Sequence, residues 1–328
     1  MKRLIMLPGV SCLLSLLYVL CCPPALAYLP PAGVGFELIE FQSGPRVVQG
    51  GMFSPDPKIF GKPTTGVILV HGVESHWYSG PPMFLGAYLA EQGYAALGYN
   101  GVHAGESFRT SEFETAVAEV GDAVAFMKAR GFSKIFLVGH SLGTPIVEYY
   151  QGDKPDPVVA AIGVYGPHIN IPAVTRDSLL GPELYSKFLA ECRDLMANGR
   201  GDEIKLLPYR ESRVIITSAR TFVSYRDIDT SKAAVAKMVR QIKIPMLIVY
   251  DPADNIQGKG ALIKRETIAG EIKDNAVASP KADILVIPSI PGNSPLAAHG
   301  LVKNEKLATQ KTVDWLKSVD LSPAPRIP

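Results

Sequence analysis

Cysteine is scarce in this 328-residue chain, and its placement removes most of its chemistry. Four cysteines are present, and Cys12, Cys21 and Cys22 fall in an N-terminal segment expected to be removed. Cys192 alone remains, so the mature chain has no intramolecular disulfide framework. It sits in an apolar helical pattern and reads as a packed hydrophobe rather than a nucleophile. An excess of one charge is also missing. The formal net charge is +2, and once Lys2 and Arg3 are set aside the basic residues equal the 31 acidic ones. No basic stripe stands out, which argues against nucleic acid or an anionic membrane surface as a partner. There is no H-E-x-x-H, no cluster of Cys and His, and no glycine-rich phosphate loop, so no metal or cofactor is implied. Internal repeats and low-complexity tracts are absent too.

What is present begins with a targeting signal. Met1-Lys2-Arg3 is a positive n-region, Leu4 to Cys22 is apolar apart from Pro8, and Pro23-Pro24-Ala25-Leu26-Ala27 ends in the small-x-small pattern of a signal-peptidase site. Residues 1–27 are therefore expected to be a signal peptide cleaved after Ala27, with periplasmic or extracellular export. Pro8 and the A-L-A end argue against an uncleaved anchor. A lipidated Cys21 or Cys22 would lack a small preceding residue. Residues 28–328 are expected to form one domain, without stable membrane insertion.

Along that domain, strands and helices alternate. Phe36 to Gln42 and Val47 to Phe53 read as an antiparallel hairpin around Ser43-Gly44-Pro45. Gly66 to Val70, Tyr94 to Tyr99, Lys134 to Val138, Val158 to Tyr165, Pro245 to Tyr250 and Ala282 to Ile287 read as further strands. Met83 to Gln92, Phe113 to Arg130 and Leu307 to Val319 read as helices, the first two stopped by Gly93 and Gly131. Asn100 to Phe108 reads as a loop. The fold class is α/β: a mostly parallel sheet covered on both faces. The alternation breaks over residues 167–243, where Pro182 to Ala197, Ser218 to Tyr225 and Ser231 to Arg240 read as helices. An insertion there, after the sixth strand, is expected to lie over the carboxyl ends of the strands as a helical cap. Residues 322–328, rich in proline, read as a loose tail.

The stretch Lys134 to Tyr150, KIFLVGHSLGTPIVEYY, organises the chain. An apolar strand runs into Gly139-His140-Ser141-Leu142-Gly143, a G-x-S-x-G turn, and then into a helix. Such a turn holds its serine in a strained backbone conformation at the positive end of a helix. Serine needs a base, and the base needs an orienting group. Six histidines compete: His71, His76, His103, His140, His168 and His299. Only His299 follows the last strand, within Pro291 to Gly300, where the chain order Ser, acid, His requires the base. The acid should follow the strand Pro245 to Tyr250, and Asp251 and Asp254 both qualify.

These features together resemble the α/β-hydrolase superfamily, of the secreted serine esterase or lipase type. The resemblance covers nearly the whole mature chain. It rests on His71-Gly72 after a strand, Gly139 to Gly143, the aspartates after Tyr250, and His299. Asn100 to Ser107 is similar to the family's D-x-R-G-x-G-x-S loop, with Asn100-Gly101 in place of the charged start. Aligning Pro245 with the family's P-x-L-x-x-x-G-x-x-D pattern puts Asp251 on its glycine and Asp254 on its acid. Ala298-His299-Gly300 departs from the usual glycine before the histidine. The resemblance implies a Ser141–Asp254–His299 triad working through an acyl-enzyme. It also implies an oxyanion hole formed by the backbone N–H groups of Leu142 and Val73.

Three functions fit these residues: a carboxylic ester hydrolase acting on a small molecule, an amidase or thioesterase with the same triad, and a non-catalytic binding protein. A complete triad in the right order argues against the last. A dehalogenase or epoxide hydrolase would need a carboxylate at position 141 and finds a serine. Substrate contacts are unassigned. Glu74 and His76 read as surface residues, while Trp77 and the stretch His168 to Ile171 are candidates for pocket walls.

Overall fold

The computed structural model describes residues 30–210 and 213–328. The expected signal peptide, with its cleavage site after Ala27, lies outside the described residues.

An eight-stranded sheet runs through the protein. The strands are β1 (Gly35–Ser43), β2 (Arg46–Ser54), β3 (Thr65–Val70), β4 (Ala95–Tyr99), β5 (Lys134–His140), β6 (Val159–Tyr165), β9 (Met246–Tyr250) and β10 (Ala282–Val286). Their order is β1-β2-β4-β3-β5-β6-β9-β10. β1 pairs antiparallel with β2, and β2 antiparallel with β4; every other neighbour is parallel. All six residues of β3 are buried, as expected of a strand covered on both faces. The chain leaves β3 toward β4 and then crosses to β5 on β3's other side. The strand order therefore reverses between β3 and β5, and α/β sheets offer a crevice above such a point.

Helices cover the faces. α1 (Gly80–Glu91), α2 (Phe113–Ala129), α3 (Gly143–Asp153), α8 (Arg265–Asn275) and α10 (Glu305–Ser318) are the main ones. In α2 the buried stripe Phe113, Ala116, Val120, Ala123, Val124 and Met127 follows the helical period and packs on the sheet. α3 is buried on nearly all sides, which fits its place between the sheet and the segment inserted after β6.

That insertion, residues 167–243, is not purely helical. It holds α4 (Ile171–Val174), a π-helical stretch Thr175–Leu180, α5 (Pro182–Ala197), α6 (Ala219–Arg226) and α7 (Ala236–Val239). Between α5 and α6 runs a hairpin of β7 (Ile204–Arg210) and β8 (Arg213–Ser218) that the sequence reading missed. Its alternation is clear in retrospect: Leu207 and Ile215 are buried while Leu206 and Val214 are exposed. The helix expected over Ser231 to Arg240 shrinks to the single turn α7. Cys192 is buried on α5, and burial pushes its thiol up to about 12, so it is inert packing.

The tail of residues 322–328 is docked rather than loose. Ala324 N–H donates to Gly93 O (2.9 Å), Gly61 N–H to Pro325 O (2.9 Å) and Ile327 N–H to Ile59 O (2.8 Å). Arg326 lies 5.4 Å from the Phe60 ring centroid. Pro325 lends its carbonyl while Ala324 and Ile327 lend their N–H groups, and together these bonds hold the tail on an extended path.

Candidate active site

Ser141 stands where β5 turns into α3, with φ of +55°. A non-glycine residue in this left-handed region costs about 1–3 kcal/mol and needs support from its surroundings. That support is specific. Ser141 N–H donates to Tyr165 O on β6 (2.9 Å), and Ser141 O accepts from Thr144 N–H (2.9 Å) and Thr144 Oγ1 (2.7 Å). The two flanking glycines are required by contact. A Cβ on Gly139 would lie 2.3 Å from Gly143 O, and one on Gly143 would lie 2.4 Å from Val70 O, so neither position accepts a side chain without moving backbone.

His299 and Asp254 meet from opposite ends of the C-terminal third. Asp254 follows β9 in a tight turn in which Asp254 N–H donates to Asp251 O (2.9 Å). His299 ends α9 (Pro295–His299), a short helix where the sequence reads as loop; Ser294 caps it by accepting from Ala297 N–H (3.2 Å). His299 Nδ1 lies 2.8 Å from Asp254 Oδ2. Burial alone would raise the Asp254 carboxyl, but its contacts with His299 and with the Arg265 guanidinium outweigh this and hold the group well below its ordinary value. Asp254 is thus an ionised, acceptor-only carboxylate, which places the imidazole proton on Nδ1 and leaves Nε2 a lone pair. The structure brings Asp254 to His299, not Asp251. Asp251 serves its own loop: its Oδ1 accepts from Ala253 N–H (2.8 Å) and from the Ser289 hydroxyl.

Ser141, His299 and Asp254 line one cavity of about 90 Å³, together with Val73, Leu142, His168, Ile171, Val174, Leu179, Ile215 and Ile256 among others. The Ser141 hydroxyl and His299 ring share it without a direct hydrogen bond. Among the described residues, neither the Leu142 nor the Val73 N–H is taken by a backbone carbonyl. Of the candidate wall residues, His168 and Ile171 line the cavity. Trp77 does not; it is core, packed between Phe36 and Phe53. Glu74 and His76 are partly exposed and lie outside the cavity lining.

The other early histidines build the turn that carries Val73. Gly101 N–H donates to His71 Nε2 (3.1 Å), so His71 Nδ1–H donates to Gly72 O (2.7 Å). His103 bonds His71 O through Nε2 (3.0 Å), and His103 O accepts from Glu74 N–H (3.1 Å). Burial pushes His71 well below its usual range and His103 down to about 4, so both stay neutral. Glu119, reading as an ordinary helix residue, anchors this loop by accepting from Val102 N–H (2.6 Å) and pairing with Arg46. His140 is pushed down to about 3, by burial first and the nearby His299 second, and its Nε2 meets His299 O at 3.1 Å.

A residue the sequence did not single out is Arg265, the first of α8. Its guanidinium is buried against Asp254.

Comparison with known proteins supports the same architecture. The model of the serine aminopeptidase S33 family matches residues 61–266. The chain belongs to this family of α/β hydrolases. Ferulic-acid-bound Est1E from Butyrivibrio proteoclasticus superposes with a TM-score of 0.61 at 17% identity, covering 85% of this chain and 98% of that one. A thermostable carboxyl esterase from Bacillus coagulans gives 0.60 at 14% identity, covering 87% and 99%. At these identities the likeness is one of fold. Epoxide hydrolase 3 from Siraitia grosvenorii is 34% identical over 100 residues, which is 30% of this chain and 31% of that protein. The match therefore spans under a third of that relative's length.

One more position is set by contact alone. Gly166, just after β6, has φ of +54°, and a Cβ there would lie 2.7 Å from both His299 Cε1 and Nδ1. The backbone of β6 thus forms the floor under the imidazole. Gly166→Ala should displace the ring and lower the hydrolytic kcat/KM by about 100-fold, with the fold kept by circular dichroism. An unchanged rate would show that the ring does not need this floor.

Proposed function

We propose that this hydrolase is an exported serine enzyme that cleaves a carboxylic ester through an acyl-enzyme. The observation that carries the proposal is the 2.8 Å His299–Asp254 contact in the cavity that also holds Ser141 at its strained turn. His299 Nε2 takes the Ser141 proton as Oγ attacks the ester carbonyl carbon. The resulting oxyanion is stabilised by the Leu142 and Val73 N–H groups. The C–O bond to the alcohol breaks, and the alkoxide leaves with the proton from His299. Water, deprotonated by the same imidazole, then attacks the acyl-enzyme and releases the acid and Ser141. Asp254 holds the tautomer throughout. Ser141, at the position where an epoxide hydrolase needs a carboxylate, directs the chemistry to acyl transfer.

The small cavity, with Ile171, Val174, Leu179, Ile215 and Ile256 on its walls, suits a short apolar acyl group. The family's description as serine aminopeptidases favours a second reading, cleavage of an amide. A panel of p-nitrophenyl esters against the matching anilides separates the two: ester turnover without anilide turnover supports the first reading.

The acid assignment is tested in the same assay. Asp254→Asn supplies an amide where a carboxylate is needed, and kcat/KM should fall by roughly four orders of magnitude. Asp251→Asn should cost far less, because that side chain serves its own loop. A large loss at Asp251 with little at Asp254 would reverse the assignment.

Export rests on the n-region, apolar core and A-L-A end of residues 1–27. N-terminal sequencing of the secreted protein should begin at Tyr28; a mature protein starting at Met1 would refute it.

A further inference from the structure

Arg265 lies eleven residues past Asp254 in the chain, yet its guanidinium is held at the centre of the site. Its Nη2 donates to Asp254 Oδ1 (3.0 Å), and its Nε lies 2.9 Å from Asp254 Oδ2, the oxygen that also meets His299. Nη2 is 3.3 Å from His299 Nδ1. The other arm points the opposite way. Nη1 donates to Pro167 O (2.8 Å) and lies 3.1 Å from His168 Nε2, at the first residues of the insertion. Arginine only donates, so His168 Nε2 must accept and its proton sits on Nδ1. Both members of the Arg265–Asp254 pair are almost wholly buried, with 4% and 3% of their side-chain surface exposed.

We propose that Arg265 is a positioning residue that clamps Asp254 against the base of the insertion and so fixes the carboxylate that orients His299. This rests on the reading of His299 as the general base.

Asp254 Oδ1 faces Arg265 Nη2, and Oδ2 faces both Arg265 Nε and His299 Nδ1, so the carboxylate plane cannot rotate away from the imidazole without breaking the Arg265 contact. A guanidinium fork is the side chain that fixes a carboxylate plane in this way. Through Pro167 O and His168, the same group ties the loop after β9 to the start of the residues that wall the cavity.

The test replaces Arg265 with Gln and with Lys in the full chain. The downfield Nδ1–H resonance of His299, which reports its bond to Asp254 and needs no substrate, is followed by proton NMR, and kcat and KM are measured separately on the best ester of the panel. Arg265→Gln should broaden or shift that resonance and lower kcat by about 10- to 100-fold with KM little changed. Arg265→Lys keeps the charge and loses the fork, so it should lower kcat as well. A folded Arg265→Gln protein with a wild-type resonance or a wild-type kcat overturns the proposal. Should Arg265→Gln fail to fold, Arg265→Lys decides: a wild-type kcat overturns the clamp. If wild-type protein turns over no ester or anilide, the functional reading fails by itself, and the His299 resonance still settles whether Arg265 fixes the carboxylate.

Discussion

Everything at this site depends on how closely three backbone segments approach one another. The end of β3, the turn after β5 and the first turn of α3 meet where Gly139 and Gly143 have no side chains to keep them apart. That contact holds Ser141 at a positive φ, which its own conformational preference opposes. Hydrogen bonds from Thr144 and to Tyr165 over-determine the conformation. The serine is thus presented at one fixed point above the switch in strand order, and the other groups need only be brought to that point. The strain is local, and the neighbouring strand β3 is buried on both faces.

The second constraint is electrostatic. Several titratable groups are packed around the cavity in a setting that disfavours charge. His71, His103, His140 and His168 meet this by staying neutral, each pushed below its usual range chiefly by burial. Two of them work as fixed hydrogen-bonding pieces: His71 and His103 shape the turn at Val73, and their tautomers follow from their partners. Asp254 is the exception. It keeps its charge because His299 and Arg265 both face it, and its carboxylate in turn orients the neighbouring imidazole. One turn earlier Asp251 is equally buried, but it spends its acceptors on Ala253 and Ser289 and stays out of the cavity.

How much of this could be read from sequence follows from how local each signal is. The elbow was legible because strand, G-x-S-x-G and helix lie within seventeen consecutive residues, from Lys134 to Tyr150. His299 was legible by its place after the last strand, though not the short helix that holds it, since Ser294-Pro295 as a cap and first turn is a weak signal among so many prolines. Arg265 was not legible. In Lys264-Arg265-Glu266 it looks like an exposed helix start, and only the fold turns it inward. Gly166 was hidden for the same reason, its role being set by a histidine far along the chain. The hairpin of β7 and β8 was lost because its alternation is short and sits among helical patterns. The tail was misread because proline richness usually marks a loose segment, whereas here the Ala324 and Ile327 N–H groups bond Gly93 and Ile59 and the Pro325 carbonyl bonds Gly61.

The account's central claim is that Ser141 is an activated nucleophile served by His299. Intact-mass analysis after treatment with a fluorophosphonate tests this most directly, because it reports the bond to Oγ and requires no knowledge of the natural substrate. The account predicts a single adduct, mapped to Ser141 by peptide sequencing, absent in Ser141→Ala and formed far more slowly in His299→Ala. A wild-type protein that stays unmodified, or an adduct on another residue, would contradict it.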